Sequence, residues 1–442
     1  MTNNDVATKP PFRHTLSWAM WDWATQPFAT VITTFVFSVY LTSVYFISPE
    51  LAALAEDDPA QVGALAELTA TLGWAIGAAG FVIAVIAPVI GRRSDRSGNR
   101  KKLVLANTAV VIIVQAMMFF VAADQAFFLF GVILLATGNV FVEIANVNYN
   151  AMLNSVSTTA TRGRVSGFGW GLGYIGGIFA LVIVVFGFVQ GDWFGLGDAP
   201  GIGIRAAAVM CAVWTAIFII PLWLFVPEAP AGVDEPRVGI FASYRDLFRQ
   251  INDIRRNANH TFWFLIASAV FRDGLAGVFT FGGVIAAAIY GFSFTEVMIF
   301  GIGANIVAGI STIASGRLDD RFGSRHVILY SLGSLTVLGT ALFLLKDAGD
   351  LAFWVAGLLL SAFVGPAQAA SRAFLTRIAP AGREGEMFGL YATTGRAASF
   401  LAPTAWAALI TLTGDTSWGI IGIVLILGIG FLLMLRVGRI GR

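Results

Sequence analysis

GRRSDRSGNRKK, residues Gly91 to Lys102, lies between two apolar runs of membrane-spanning length. Six of its residues are basic (Arg92, Arg93, Arg96, Arg100, Lys101, Lys102) and one, Asp95, is acidic. A loop this short and this basic between two spans marks the cytoplasmic side of a bilayer. The pattern returns 225 residues later as GRLDDRFGSR, Gly316 to Arg325. Gly91, Asp95, Arg96, Gly98 and Arg100 fall in one register with Gly316, Asp320, Arg321, Gly323 and Arg325. Topology explains the basic residues, but it does not explain why glycines and aspartates recur with them. The chain reads as one unit made twice.

Composition places that unit in a membrane. Of 442 residues 57% are hydrophobic and only 12% charged, with a mean hydropathy of +0.78, so the chain cannot clothe itself in a water-soluble surface. A net charge of +2 offers no attraction to nucleic acid. The single cysteine, Cys211, sits in an apolar run and excludes an internal disulfide. The polar start is followed by a long apolar run without a small-residue cleavage site, which reads as a retained span rather than a removed signal.

At about 20 apolar residues per crossing, twelve spans are expected. They cover 18 to 47, 68 to 91, 103 to 122, 127 to 154, 165 to 189 and 204 to 226, then 261 to 290, 296 to 316, 326 to 345, 351 to 376, 386 to 410 and 417 to 436. The tails and the loops after even-numbered spans hold 23 of the 28 Lys and Arg; the opposite side holds only Arg205 and Lys346, against 12 of the 26 acids. Both termini are therefore expected in the cytoplasm, in a multi-pass protein of the cytoplasmic membrane. The longest internal polar stretch suggests a six-span bundle over 1–227, a linker over 228–260 and a second bundle over 261–442. Within the linker Phe241, Tyr244, Phe248, Ile251 and Ile254 recur at helical spacing, as in an amphipathic helix on the inner leaflet or in a solvated tether.

The repeat extends further. TRGRVSG (Thr161 to Gly167) follows span 4 and GREGEMFG (Gly382 to Gly389) follows span 10, each leading into a Gly-rich helix. Parallel six-span repeats are how many secondary transporters are built. With GxxxDRxGxR/K between spans 2 and 3 and again between spans 8 and 9, the chain resembles the major facilitator superfamily over its whole length. WAMWDWA (Trp18 to Ala24), RGRVSGFGWGLGYIGG (Arg162 to Gly177), GPAQAASR (Gly365 to Arg372) and GREGEMFGLY (Gly382 to Tyr391) resemble one branch, the autophagy-related vacuolar amino-acid effluxers and their bacterial relatives. The resemblance implies an all-α fold of twelve transmembrane helices in two pseudo-symmetric bundles, and transport activity. Where the proton–drug antiporter pattern has Gly-Pro in span 5, this chain has Leu172-Gly173, which argues against drug efflux.

Six ionisable residues fall within spans: Asp22, Glu143, Arg272, Asp273, Arg372 and Arg396. Exposing them all to lipid would cost on the order of 15 to 20 kcal/mol, more than the roughly 5 to 15 kcal/mol that holds a fold together. They must face protein or a wet cavity, and three acids against three arginines suggest mutual compensation. In span 4, Asn139, Glu143, Asn146 and Asn150 are spaced 4, 3 and 4, a polar stripe on one face. Glu143 is expected to couple protons or hold a substrate ammonium; the alternative is that the stripe only bonds to neighbouring helices. Gln368 and Arg372 lie one turn apart in span 10. The guanidiniums of Arg272, Arg372 and Arg396 suit a substrate carboxylate or an internal one equally. Arg272 and Asp273 are adjacent, point about 100° apart and need different partners. Asp22 is expected in the first turn of span 1, as cap or as gate. Gly169, Gly173 and Gly177 in span 5, with Gly301 and Gly309 in span 8, suggest sliding faces between the halves.

These readings converge on a secondary transporter of a small polar or zwitterionic solute, amino acids first, working by alternating access and coupled to protons. It is expected to act as a monomer, with the lipid bilayer and the solute as its partners. The ten repeated loop residues are expected to form cytoplasmic latches. No GxxxxGK[ST] loop supports ATP drive. With His14, His260 and His326 in the tail or loops, no metal site or cofactor is expected, nor an enzyme. A proton-coupled exporter of drugs or lipids and a non-transporting sensor or scaffold are the alternatives.

Overall fold

The computed structural model describes residues 10–55, 58–189, 193–197, 199–228, 252–256, 258–292, 294–380 and 382–438, all of them helix, turn or irregular chain. Twelve spanning units follow in order. They are α1 (Phe12–Leu41), α2 (Pro59–Ser97), α3 (Arg100–Phe120), α4 (Phe128–Ala151), α5 (Arg162–Val184), α6 (Ile202–Phe225), α7 (Asn259–Tyr290), α8 (Phe294–Phe322), α9 (Ser324–Leu344), α10 (Asp350–Ile378), α11 in two pieces (Glu384–Ala398 and Leu401–Thr413) and α12 (Trp418–Leu435). Eleven are long and apolar enough to cross a membrane unbroken.

The exception is α11, expected to be continuous. Pro403 has no N–H for the carbonyl of Ser399 and its ring crowds that carbonyl, so the helix stops at Ala398 and restarts at Leu401. At the other end of the chain, α1 begins six residues earlier than expected, directly after Pro11. Asp22 is thereby corrected from the first turn to the third, too deep to cap. Past Pro27 the same helix widens into a π-helical stretch, Phe28–Phe35, a local adjustment of the kind that follows a lost hydrogen bond.

Apolar packing divides along the repeat. One buried cluster is drawn from α7 to α12, joined by Ile83, Ala87, Val147 and Ala151 of the first half. Two others are drawn from α1 to α6 and the connections among them. Of the expected amphipathic linker helix, Phe241, Tyr244, Phe248 and Ile251 lie outside the described residues; Ile254 packs against the core of the second half.

The halves meet most extensively through two helix pairs, α5 with α8 and α2 with α11. Both pairs close at the end that carries the basic loops. A Cβ on Gly91 would lie 2.0 Å from the Gly385 carbonyl oxygen, and one on Gly389 2.6 Å from that of Ala87. In the other pair a Cβ on Gly316 would lie 2.8 Å from the Gly163 oxygen, and one on Gly167 2.6 Å from that of Thr312. Ala87 and Thr312 are again 225 residues apart. Away from this end the pairs diverge: Gly80 meets only the Arg396 side chain, at 3.8 Å, and Gly77, Gly73 and Gly301 meet nothing within 4 Å. The result is a V, shut at the basic end.

The glycine faces of α5 need correction. Gly169, Gly173 and Gly177 pack on Asp22, Gln26 and Thr30 of α1, inside the first half, whereas Gly163, Gly167 and Gly171 form the face against α8. Two glycine stripes share one helix at different phases, and spacing alone cannot say which neighbour each one meets.

The V yields a paired stability test. Gly77→Ala, in open space, should be neutral or stabilising by up to about 1 kcal/mol through helix propensity. Gly91→Ala should destabilise by roughly 1 to 3 kcal/mol through overpacking. Thermal unfolding of the purified protein in detergent measures both, and equal melting points would mean that the closed seam is absent in solution.

Candidate functional site

A buried helix start leaves N–H groups without acceptors, and at the seam each such start is capped from the opposite half. The second and third N–H groups of α11, from Gly385 and Glu386, each donate to Asp95 at 2.8 Å. Those of α5, from Gly163 and Arg164, donate to Asp320 at 2.8 and 3.2 Å. The recurring glycines shape the turns behind these caps, with φ of 64° at Gly98 and 87° at Gly323, a region other residues rarely adopt.

The surroundings of the two caps are not symmetric. Arg100 bonds Asp95 at 3.0 and 2.6 Å and reaches Glu384 at 2.7 Å, and Asn154 holds the other Glu384 oxygen at 2.9 Å. Arg325, in register with Arg100, donates to the carbonyls of Val437 and Leu435 at the end of α12, at 2.6 and 3.2 Å. Beside Asp320 stand Arg164 of α5, at 3.4 Å, and Arg377 of α10, at 3.5 Å and paired also with Asp319. Arg321 lies over the Phe322 ring. The Arg96 side chain lies outside the described residues.

One layer deeper, Arg372 of α10 crosses into the first half. Its Nε and Nη2 donate to the hydroxyl and carbonyl of Ser166, at 2.9 and 2.6 Å, and its Nη1 to Asp22 and Asn150, both at 3.2 Å. Four of the five guanidinium donors are thus used. Tyr149 donates to the same Asp22 oxygen at 2.8 Å, and its ring is stacked against Trp18 and Trp21. The Trp18, Tyr149 and Trp170 rings lie within 4.9 to 5.7 Å of the Arg372 charge, and a glycine, Gly169, leaves the room Asp22 needs. Beside this knot, Tyr174 of α5 donates to Gln368 at 3.3 Å. Such saturation favours the internal-carboxylate reading of Arg372.

Glu143 and Arg396 form a second pair across the halves, from α4 to α11, and a looser one. Nη2 lies 3.7 Å from Oε2, with the side chains 16% and 36% exposed. Asn150 ties the polar stripe of α4 together, donating to Asn146 at 2.8 Å. Arg272 of α7 lies over the Tyr391 ring at 3.9 Å and donates to its carbonyl at 3.0 Å. Asp273 takes a different partner, the N–H of Ala402 at 2.5 Å, and so caps the restarted half of α11. Compensation among the six charges is therefore partial: two acid–arginine pairs form, while Arg272 uses an aromatic face and Asp273 a helix start.

Residue spacing had not singled out Ser166, Tyr149, Glu384, Asn154 or Arg377. Glu384 carried the one usable signal, an acid in the repeated stretch after span 10. Away from the charges, an apolar cleft of about 930 Å³, counted with the solvent it opens to, runs among α7 to α10 and α12 past Phe279, Phe300 and Phe353, with Phe35 of α1 also lining it.

Comparison with known proteins agrees with this architecture. The proton:xylose symporter XylE superposes with a TM-score of 0.74 at 13% identity, over 97% of this chain and 96% of its own. A bacterial homologue of the iron transporter ferroportin in an outward-facing state gives 0.67 at 14% identity, over 96% and 98%. In sequence, the uncharacterized MFS-type transporter YxiO of Bacillus subtilis is 24% identical over 95% of this chain and 93% of its own length. Autophagy-related protein 22 of Cryptococcus neoformans is 23% identical over 60% of this chain, which spans about half of that longer relative. The first three are transporters by name, not enzymes. A family model described as "Vacuole effluxer Atg22 like" matches residues 154–439, and the chain belongs to that family, within the major facilitator superfamily of membrane transporters.

Proposed function

We propose that this transporter works by alternating access as a monomer in the cytoplasmic membrane, with both termini and the basic loops inside, and that it moves a small zwitterionic solute, amino acids first, coupled to protons. The observation that carries the reading is the one-ended V: helix pairs shut at the basic end and apart at the other are the shape of an outward-facing transporter. The two units, 1–227 and 261–442 about the linker 228–260, are its rocking bodies. Latches made by Asp95 and Asp320 hold the inner gate, and the Arg372–Asp22 knot lies just behind it. Glu143, on the crevice wall, is the residue through which a proton enters the cycle.

A second reading has an observation of its own. The apolar cleft past Phe279, Phe300 and Phe353 suits a drug or lipid better than a zwitterion. Counterflow in proteoliposomes discriminates: exchange of labelled neutral amino acids supports the first reading, and exchange of an apolar cation or lipid alone supports the second.

Three outcomes follow from the geometry. Asp95→Ala should slow uptake and leave cysteines placed on the inner side of the crevice more reactive to a membrane-impermeant reagent; unchanged labelling counts against a latch. Glu143→Gln should flatten the pH dependence of uptake, and full, still pH-dependent transport removes the coupling role. Arg372→Gln strands Asp22 and should cost about 3 to 5 kcal/mol. Combining it with Asp22→Asn should cost clearly less than the two single changes summed, in a double-mutant cycle read by thermal melting.

A further inference from the structure

Beyond Pro27, α1 carries four aromatic residues, Phe28, Phe35, Phe37 and Tyr40. Three are buried within the first-half cluster, whereas Phe35 is 52% exposed. It closes the π-helical stretch, Val36 departs from helical geometry at φ −120° and ψ −63°, and the helix resumes at Phe37. π-helical turns are rare and gather at functional sites. The ring that the first bundle leaves out therefore stands at a break in α1.

What Phe35 faces belongs to the opposite half. It lines the apolar cleft, whose other described lining residues come from α7 to α10 and α12. Its exposure is thus toward the crevice and not toward acyl chains. The cleft has room at its glycines: a Cβ on Gly282 of α7 or on Gly301 of α8, both on its lining, would meet nothing within 4 Å. The space it leaves for water-sized spheres is about 130 Å³, close to the roughly 150 Å³ of an apolar cavity that takes up benzene. A phenyl ring fits. Ring and void are both apolar, and both lose contact with water when they meet. They meet fully only when α1 approaches α7 and α8, that is, when the open end of the V shuts.

We propose that Phe35 is the knob of a gate at the open end and that the cleft is its seat: as the halves close there, the break at Val36 lets the ring swing in past Gly282 and Gly301. The inference rests on the alternating-access reading and goes beyond it, naming a contact that holds the second arrangement once the caps made by Asp95 and Asp320 are broken. It also bears on the apolar-solute reading, because a seat filled by Phe35 has no room for another occupant.

Cysteine accessibility tests this without a known solute. The full-length protein is given Gly77→Cys, on the open wall of α2, and reconstituted in proteoliposomes; the native Cys211 is buried, so the introduced thiol reports alone. A membrane-impermeant maleimide should label it readily. Adding Asp95→Ala, which removes a cap at the closed end, should slow that labelling severalfold as the open end shuts. A further Phe35→Ala, which removes the knob, or Gly301→Leu, which fills the seat, should bring the labelling most of the way back, and Phe35→Leu should do so less than Phe35→Ala. Melting points in detergent check that each variant folds; should Gly301→Leu not fold, Gly282→Leu fills the same seat from α7. Labelling that stays slow after both the knob and the seat are altered overturns the gate and leaves alternating access standing. Labelling that Asp95→Ala does not slow overturns alternating access itself, and the gate with it.

Discussion

The first N–H groups of α5 and α11 begin where two helical bundles press together and water is scarce. Donors left bare there cost a few kcal/mol apiece, and neither helix is capped by its own side chain, Thr161 and Arg383 making no side-chain cap. The acceptors come from the opposite half: Asp95 for α11 and Asp320 for α5. Everything else at the seam follows from bringing those carboxylates close enough. Gly91 and Gly385 meet backbone to backbone, as do Gly316 and Gly163, because any side chain there would hold cap and helix start apart. A bond that exists only when the halves are shut at one end is also the kind of contact a two-state machine can break as a unit.

Much of this was legible in the sequence. The twelve spans, the doubling and the recurrence of Gly and Asp in register are patterns of period and charge, and those survive in a linear string. The partners were less legible, for a geometric reason. Arg100 and Arg325 hold equivalent positions, yet one bonds its own loop's aspartate and the other the Val437 carbonyl after α12, while Asp320 pairs with Arg164 of α5 and Arg377 of α10. Such competition depends on which of several long side chains arrives, and no local spacing encodes that. The glycines of α5 failed likewise: their periodicity marks a face but not the neighbour. The break in α11 was readable, since Pro403 stands in plain view, but the long apolar run around it outweighed a single residue.

The six charges within the spans separate by how fully they are satisfied. Asp273 closes the start of a half-helix, and Arg372 with Asp22, Asn150, Ser166 and Tyr149 forms a nearly saturated knot. Groups so engaged rigidify a seam, and a solute would have to outbid several bonds to use them. Glu143 and Arg396 stand apart in being close without being bonded. An intramembrane charge is costly and persists where it is needed, and incomplete satisfaction leaves it available to something that comes and goes.

The order of these layers matters for how the closed end opens. From the basic end inward come the paired caps, then the knot of Arg372, then Gln368 with Tyr174, and then Glu143 with Arg396, where the helices begin to part. A ligand arriving from the open side meets the loosest of these first and reaches none of the others. It therefore acts on the layers behind only by changing how the halves are held at its own level. Closing there while the caps persist would strain the helices that join the two levels. In the proposed cycle two arrangements, each shut at one end, would relieve that strain, and a seam built from small residues and discrete polar bonds has little to favour the positions between them.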